Sequence, residues 1–354
     1  MNRILVIQHK MIGDVLVSSI ICNNLRKAYP KAQIDYLVND NTVDVLKDNP
    51  NISSLIIFDK KKQNSFIELI KFALSLRKNK YDLVIDAYSK LQSWIIVLLC
   101  GGNRKISYKK KGRTFLYNDN IPYIENSNTN FGLAIERRLS LLSPLKLNFK
   151  PDPYPKLFLD ITEQQFANEI FKIHEVKTSK KTVMISLLGS EKIKTYPLNY
   201  MATLIDYISD RYNVNILFNY FPKQLDEAKK VFNSCKKSTQ ENIYFDLLGN
   251  NLREYIAIMN KCDIIIGNDG GAINLAKALD KPSFIIFSPW IDKLIWATFE
   301  DGNKHSSIHL KDVTPDYFIN KTEKELKENA LKLYENLKPN YVIEKITPFL
   351  DLHL

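Results

Sequence analysis

Along the first half of the chain, short apolar runs alternate with segments whose apolar residues recur at helical spacing. Arg3 to Gln8 reads as a buried strand, and Asp14 to Tyr29 as a helix that stops at Pro30. Gln33 to Val38 predicts a second strand, Thr42 to Asp48 a short helix, and Ser54 to Phe58 a third strand. A helix from Phe66 to Asn79, a strand from Tyr81 to Ala87 and a helix from Ser89 to Leu99 follow. Strands alternating with helices predict a mostly parallel sheet covered on both faces. Pro144, Pro151, Pro153 and Pro155 then punctuate a stretch without periodicity, where a domain boundary is expected.

The pattern restarts beyond it. Thr182 to Leu187, Asn215 to Phe218 and Ile243 to Asp246 read as strands, each followed by a helix: Leu198 to Asp210, Gln224 to Cys235 and Leu252 to Lys261. The apolar run Ile264-Ile265-Ile266 is broken by Gly267-Asn268-Asp269-Gly270-Gly271, and an Ala/Leu-rich helical segment runs on to Leu279. Ser283 to Phe287 predicts a further strand, and Lys321 to Leu337 a charged amphipathic helix. The expected fold class is α/β. Two doubly wound domains, residues 1–165 and 166–354, face a central cleft, with ligands at the carboxyl ends of the strands and the last helix free to pack back on the first domain.

Hydrophobic residues make up 45% of the 354 and charged residues 25%, a balance that can bury two cores and stay soluble. The longest apolar candidate, Trp94 to Cys100, is too short to span a bilayer, and the start of the chain runs straight into a strand pattern without a leader signature. A cytoplasmic protein is expected. Cys22, Cys100, Cys235 and Cys262 lie far apart with no CxxC pair, which argues against a zinc site or a disulfide framework. The net charge of +11, with lysine runs at Lys60 to Lys62, Lys109 to Lys111 and Lys180-Lys181, favours anionic partners. No nucleic-acid motif accompanies the charge, so nucleic acid is not expected among them.

Three of the chain's 11 glycines fall between Gly267 and Gly271. Strand, glycine turn and helix together present a helix N-terminus suited to a phosphate. A plain βα turn without ligand has the same composition.

Four segments together resemble the bacterial ADP-heptose:lipopolysaccharide heptosyltransferases, glycosyltransferases of the GT-B fold with two Rossmann-like domains. They are Ile4 to Ser19 with its Gly13-Asp14-Val15-Leu16 turn; Tyr81 to Ala87 with Gly101 to Tyr108; Gly189 to Pro197; and Cys262 to Leu279 with Ala278 to Pro282 and Phe287-Ser288-Pro289. The resemblance implies an inverting transfer of a sugar, foremost heptose from ADP-heptose, to a lipopolysaccharide core acceptor. It makes the first domain the acceptor domain and the second the nucleotide-sugar domain. Asp14 matches the proposed catalytic base, with Gly13, Lys10 and Arg137 on the acceptor side. Lys194 matches the lysine that meets the donor phosphates. Gly189, Ser190, Gln224, Asp269, Gly270, Gly271 and Asn274 fall at donor-binding positions. Asp14 is also a residue type favoured at a helix N-cap.

The chain departs from the family pattern at four places. Asn274 stands where a histidine is usual, Gln224 near the place of an acidic residue, Gln8 in place of a basic one with His9 and Lys10 close by, and Leu133 in place of a histidine before Glu136-Arg137. No Asp-x-Asp triplet occurs, so neither a metal nor another cofactor is expected. The expected partners are a nucleotide sugar, a lipid-linked oligosaccharide acceptor and the anionic inner-membrane surface. The alternatives are the same chemistry with another nucleotide sugar, a sugar-nucleotide epimerase on the same fold, or a binding protein whose catalysis has decayed.

Overall fold

A computed structural model describes residues 1–354 apart from the Asn64 side chain. The chain forms two compact units, Met1–Phe158 and Leu159–Leu354. The first contains strands β1 (Arg3–Ile7), β2 (Gln33–Asn39), β3 (Ser54–Phe58), β4 (Leu83–Asp86), β5 (Arg104–Tyr108) and β6 (Asp119–Ile121), and helices α1 (Ile12–Ala28), α2 (Phe66–Ser75), α3 (Leu91–Leu99) and α4 (Leu133–Ser140). Its sheet is parallel in the order β3-β2-β1-β4-β5-β6, with Ile7 paired to Leu37 on one side and Asp86 on the other.

The second unit has strands β7 (Lys181–Ser186), β8 (Val214–Asn219), β9 (Ile243–Tyr244), β10 (Ile264–Asn268), β11 (Ser283–Ile286) and β12 (His305–Ile308). Its longer helices are α5 (Ile161–Ile173), α6 (Leu198–Arg211) and α7 (Leu225–Ser234), then, after the single turn α8 (Lys237–Gln240), α9 (Leu252–Lys261) and α10 (Gly271–Ala278). Short helices α11 (Lys293–Trp296), α12 (Leu310–Val313), α13 (Glu323–Glu328) and α14 (Ala330–Tyr334) lead to α15 (Pro339–His353). The strand order β9-β8-β7-β10-β11-β12 repeats that of the first unit. Counted within each unit, both sheets read 3-2-1-4-5-6, the doubly wound order whose switch point lies between the first and fourth strands.

Central strands are near-continuous Val, Ile and Leu because helices cover both faces. Leu5, Ile7, Leu37 and Val84 are fully buried with the inner residues of α2 and α3 in one core. Val183, Ile185, Ile216, Ile264 and Ile266 anchor the other.

Several elements differ from the sequence expectation. β5, β6 and β12 carry Arg-Lys, Asp-Asn and His-Ser-Ser stretches, and pairing with a neighbouring strand makes them strands where their own apolar content is low. A boundary at 165/166 would cut α5, whose Glu163 pairs with Arg253 of α9 at 2.6 Å inside the second unit. The helix expected over Lys321 to Leu337 is two helices parted at Asn329, and the final helix α15 begins later, with Pro339 in its first turn. It lies against α6, β11 and β12, burying Val342, Ile346, Phe349 and Leu350 in the second core.

Candidate active site

In the first unit the site forms where β1 ends. Met11, at φ 67°, turns the chain into α1 and serves as its N-cap, so Asp14 lies inside the first turn and does not cap it. A carboxylate there is favoured by the positive end of the helix. Packing of α4 against α1 brings Arg138 to it. The guanidinium is held at each of its three nitrogens: Nη2 donates to Asp14 Oδ1 at 2.5 Å, Nη1 to the Ala134 carbonyl at 3.1 Å, and Nε to Ser18 Oγ at 3.2 Å. Burial works to lower the Arg138 pKa, but Tyr108 and Asp14 beside it carry the net shift upward. One carboxylate oxygen of Asp14 is thus held, and Oδ2 makes no hydrogen bond among the described residues. A fixed carboxylate with one oxygen open can accept a proton from a hydroxyl group.

The neighbouring candidates divide. Gly13 is buried in α1 and Lys10 is exposed beside the turn, its carbonyl accepting from Gln8 Nε2 at 3.2 Å. His9 cannot replace the missing basic residue. It is buried between Phe58 and Tyr88, both ring centroids 4.8 Å away, and burial, helped by Lys10, pushes its pKa down to about 3. Arg137 has other partners: its Nε donates to the Ile124 carbonyl at 2.8 Å and its guanidinium stacks 4.0 Å over Tyr123. The sequence reading named Arg137 on the acceptor side and passed over Arg138, which the structure places on Asp14. Tandem arginines on a helix point about 100° apart, so only the helix's setting decides which one reaches in.

In the second unit the site straddles the switch point, where β7 and β10 end. Gly189 is required by close approach, because a Cβ there would collide with the Lys194 carbonyl. Gly267, at φ 140°, likewise lets β10 pass the Ser186 carbonyl. Asn268 stitches the two turns together. Its Nδ2 donates to the Ser186 and Leu187 carbonyls at 3.1 and 2.9 Å, and its Oδ1 accepts from Tyr196 N at 2.7 Å. Asp269 and Gly270 follow, and α10 starts at Gly271 with no side chain capping it. Asn274 donates to the Gly270 carbonyl at 3.3 Å, while the Cβ side of Gly270 faces open space. The first N–H groups of α10 are therefore available to an anion.

Lys194 is half-buried, 5.4 Å from the Trp290 ring, which Lys327 also approaches at 4.7 Å. Asp269 is buried, and burial raises its pKa while Lys194 and Lys277 pull it back. The turn and the lysine thus share one electrostatic environment. Lys277, which sequence reasoning passed over as a residue of an Ala/Leu helix, is buried too. Burial pushes its pKa down to about 7 against the pull of Glu300, Asp269 and Asp301, and its Nζ donates to the Thr298 carbonyl at 2.5 Å. Gly189, Ser190 and Gln224 line a cavity of about 460 Å³ with Lys192, Lys223 and Glu227, whereas Lys194 and residues 269–274 lie outside its lining. Gln224 has both ends of its amide engaged, Nε2 on the Gly189 carbonyl and Oε1 on Phe221 N, each at 3.0 Å. It braces the loop.

Two sheets of this order, one presenting a braced carboxylate and the other a glycine-fronted helix N-terminus beside a lysine, define a glycosyltransferase of two Rossmann-like domains. The model of glycosyltransferase family 9 (heptosyltransferase) matches residues 69–311, and the chain belongs to that family. It is 28% identical over 294 residues to lipopolysaccharide heptosyltransferase 1 of Campylobacter coli, covering 80% of this chain and 83% of that protein. To lipopolysaccharide heptosyltransferase 3 of Escherichia coli K12 it is 24% identical, covering 90% and 96%. Among solved structures, a family 9 glycosyltransferase from Veillonella parvula superposes with a TM-score of 0.80 at 20% identity, over 99% and 97% of the two chains. The E. coli heptosyltransferase WaaC with ADP-2-deoxy-2-fluoro heptose gives 0.66 at 16%, over 98% and 99%. The fold is that of these GT-B enzymes.

Proposed function

We propose that this enzyme transfers heptose from ADP-heptose to a lipopolysaccharide core acceptor with inversion at the anomeric carbon. The observation that carries the reading is Asp14, braced on one oxygen by Arg138 at the carboxyl edge of the first sheet, in a chain of this family. The names of the relatives supply the substrates: several are lipopolysaccharide heptosyltransferases, and WaaC has been solved with ADP and with a fluorinated ADP-heptose.

In this mechanism Asp14 Oδ2 takes the proton of the acceptor hydroxyl as its oxygen attacks the anomeric carbon opposite the diphosphate. The bond from that carbon to the diphosphate oxygen breaks, and its electron pair leaves with ADP. Lys194 and the N–H groups at the start of α10 meet the growing negative charge. Ser190 and Asn274 would add neutral hydrogen bonds, and Lys10 would meet an acidic acceptor. No divalent cation takes part. No helix among the described residues is long and apolar enough to cross a membrane, and the reading places the enzyme in the cytoplasm, held to the inner membrane's anionic surface by its basic charge.

The test is transfer from ADP-heptose to a heptose-deficient core acceptor, with calorimetry of ADP-heptose and of other nucleotide sugars, before and after EDTA dialysis. Transfer that survives EDTA, with ADP-heptose bound most tightly, is the expected result. Tighter binding and turnover of another nucleotide sugar would reassign the donor. Loss of activity on chelation, restored by magnesium, would refute the metal-free mechanism.

A further inference from the structure

Helices α2 and α3 bury their inner residues, Leu69, Ala73, Ile96 and Val97, in one core on the same face of the first sheet. They pack against each other, and the 3-10 turn Thr114–Leu116 packs on α3. Their outer faces should be polar. Instead, Phe66, Ile67 and Leu74 on α2 and Leu91 and Leu98 on α3 are exposed, with Leu91 at 66%. Phe115, on the adjoining turn, is 78% exposed. α3 itself, Leu-Gln-Ser-Trp-Ile-Ile-Val-Leu-Leu, has two polar residues in nine, far fewer than a solvated helix face needs. An apolar face shared by neighbouring elements marks an interaction site.

The charge around this face is mostly positive. Arg113 stacks 3.4 Å over Trp94 of α3, and Lys110 Nζ donates to the Ser89 carbonyl at 2.9 Å, so the loop from Lys109 to Arg113 lies along the start of α3. Lys62 and Lys71 pair with Asp59 and Glu68, but Lys61, Lys78, Lys109 and Lys111 make no ion pair among the described residues. Apolar side chains that stand out among unpaired lysines match an anionic lipid surface, where acyl chains take the first and headgroups the second. Both helices start at the carboxyl ends of their strands, the edge of the sheet that also carries Asp14.

We propose that the outer face of α2, α3 and the Phe115 turn is the surface through which the enzyme docks on an anionic bilayer, presenting the Asp14 edge to an acceptor that stays in the membrane. This rests on the reading of a lipid-linked acceptor. The charge attracts the enzyme over a Debye length, and insertion of the apolar side chains then holds it, so neither signal alone suffices.

The test is co-sedimentation with phosphatidylcholine vesicles, pure or with about one third phosphatidylglycerol, at low and physiological salt. The wild type should bind the mixed vesicles and not the neutral ones. The triple variant Phe66→Ser, Leu91→Ser, Phe115→Ser leaves every charge in place and changes only exposed side chains. It should lose at least about tenfold in binding at unchanged thermal stability, and Lys109→Gln with Lys111→Gln should flatten the salt dependence. Binding by the triple variant equal to wild type would overturn this surface while leaving membrane attachment intact. Wild-type protein that ignores both vesicles but self-associates in sedimentation, reversibly with the triple variant, would make the face a contact between copies. Transfer to a soluble, delipidated acceptor fragment should persist in the triple variant, and its loss from wild type would count against the transferase reading instead.

Discussion

The two units share a strand order but use it for opposite charges. In the first, the turn after the first strand carries an aspartate held by an arginine from α4. In the second, the turns after the first and fourth strands carry glycines, a half-buried lysine and an uncapped helix start. In the proposed mechanism one edge takes a proton and the other receives an anion. The scaffold fixes where a ligand binds, and a few turn residues decide what chemistry happens there. Brace residues differ accordingly: a charged one, Arg138, supports the carboxylate, and a neutral one, Asn268, ties β7 to β10 without adding charge beside the turn proposed to meet the diphosphate.

Replacing the base should separate the two edges most sharply. Asp14→Asn should keep donor binding in calorimetry and lower turnover by about 100-fold or more, the scale of general-base catalysis. Near-normal turnover would remove Asp14 from the chemistry.

The opposite edge should respond in the opposite way. Lys194→Ala should weaken ADP-heptose binding and cost roughly 100-fold in kcat/KM, as loss of a charge-stabilising donor does. Gly270→Val tests the turn without straining it, since Gly270 has an extended backbone at φ 168° and open space where a side chain would point. It should fold normally and lose donor affinity. Unchanged donor affinity in both variants would place the diphosphate elsewhere.

A smaller effect should come from the brace. Arg138→Gln should reduce turnover by about tenfold to a hundredfold through misplacement of Asp14, with donor KM unchanged, and Arg138→Lys should restore part of it. Equal losses in Arg138→Gln and Arg137→Gln, each tracking a fall in melting temperature, would reduce Arg138 to a packing residue.

A separate effect, on stability and not on turnover, concerns Lys277. Its folded pKa of about 7 lies below the ordinary lysine value of 10.5, so the unfolded chain binds the extra proton between those pH values. Stability from its neutral burial is full above 10.5 and is lost as the pH falls toward 7. Wild type minus Lys277→Met should therefore change with a slope approaching about 1.4 kcal/mol per pH unit between those limits, the value for one proton. A flat difference in denaturant titrations from pH 7.5 to 10 would show that Lys277 stays charged.

How much could be read beforehand follows from the range of the forces. Ile4 to Ile7 and Ile264 to Ile266 announced central strands because parallel strands buried on both faces need unbroken apolar sequence. The turn into α1 is made at Met11 and Gly13 lies inside the helix, whereas the Gly267 to Gly271 turn was legible because backbone conformation and close approach restrict residue type locally. Edge strands such as Asp119–Ile121 and His305–Ile308 were not, since their hydrogen bonds come from neighbours distant in sequence. The site shows the same division. The sequence by itself determined two doubly wound units and the turns that bear Asp14, Lys194 and Asp269 to Gly271. Tertiary structure alone decided that Arg138 and not Arg137 holds Asp14, that His9 is buried and neutral, that Gln224 braces Gly189, and that α15 joins the second core. Each depends on which helix face meets which sheet, a choice made by packing across more than a hundred residues of chain between Asp14 and Arg138, and no local pattern encodes it.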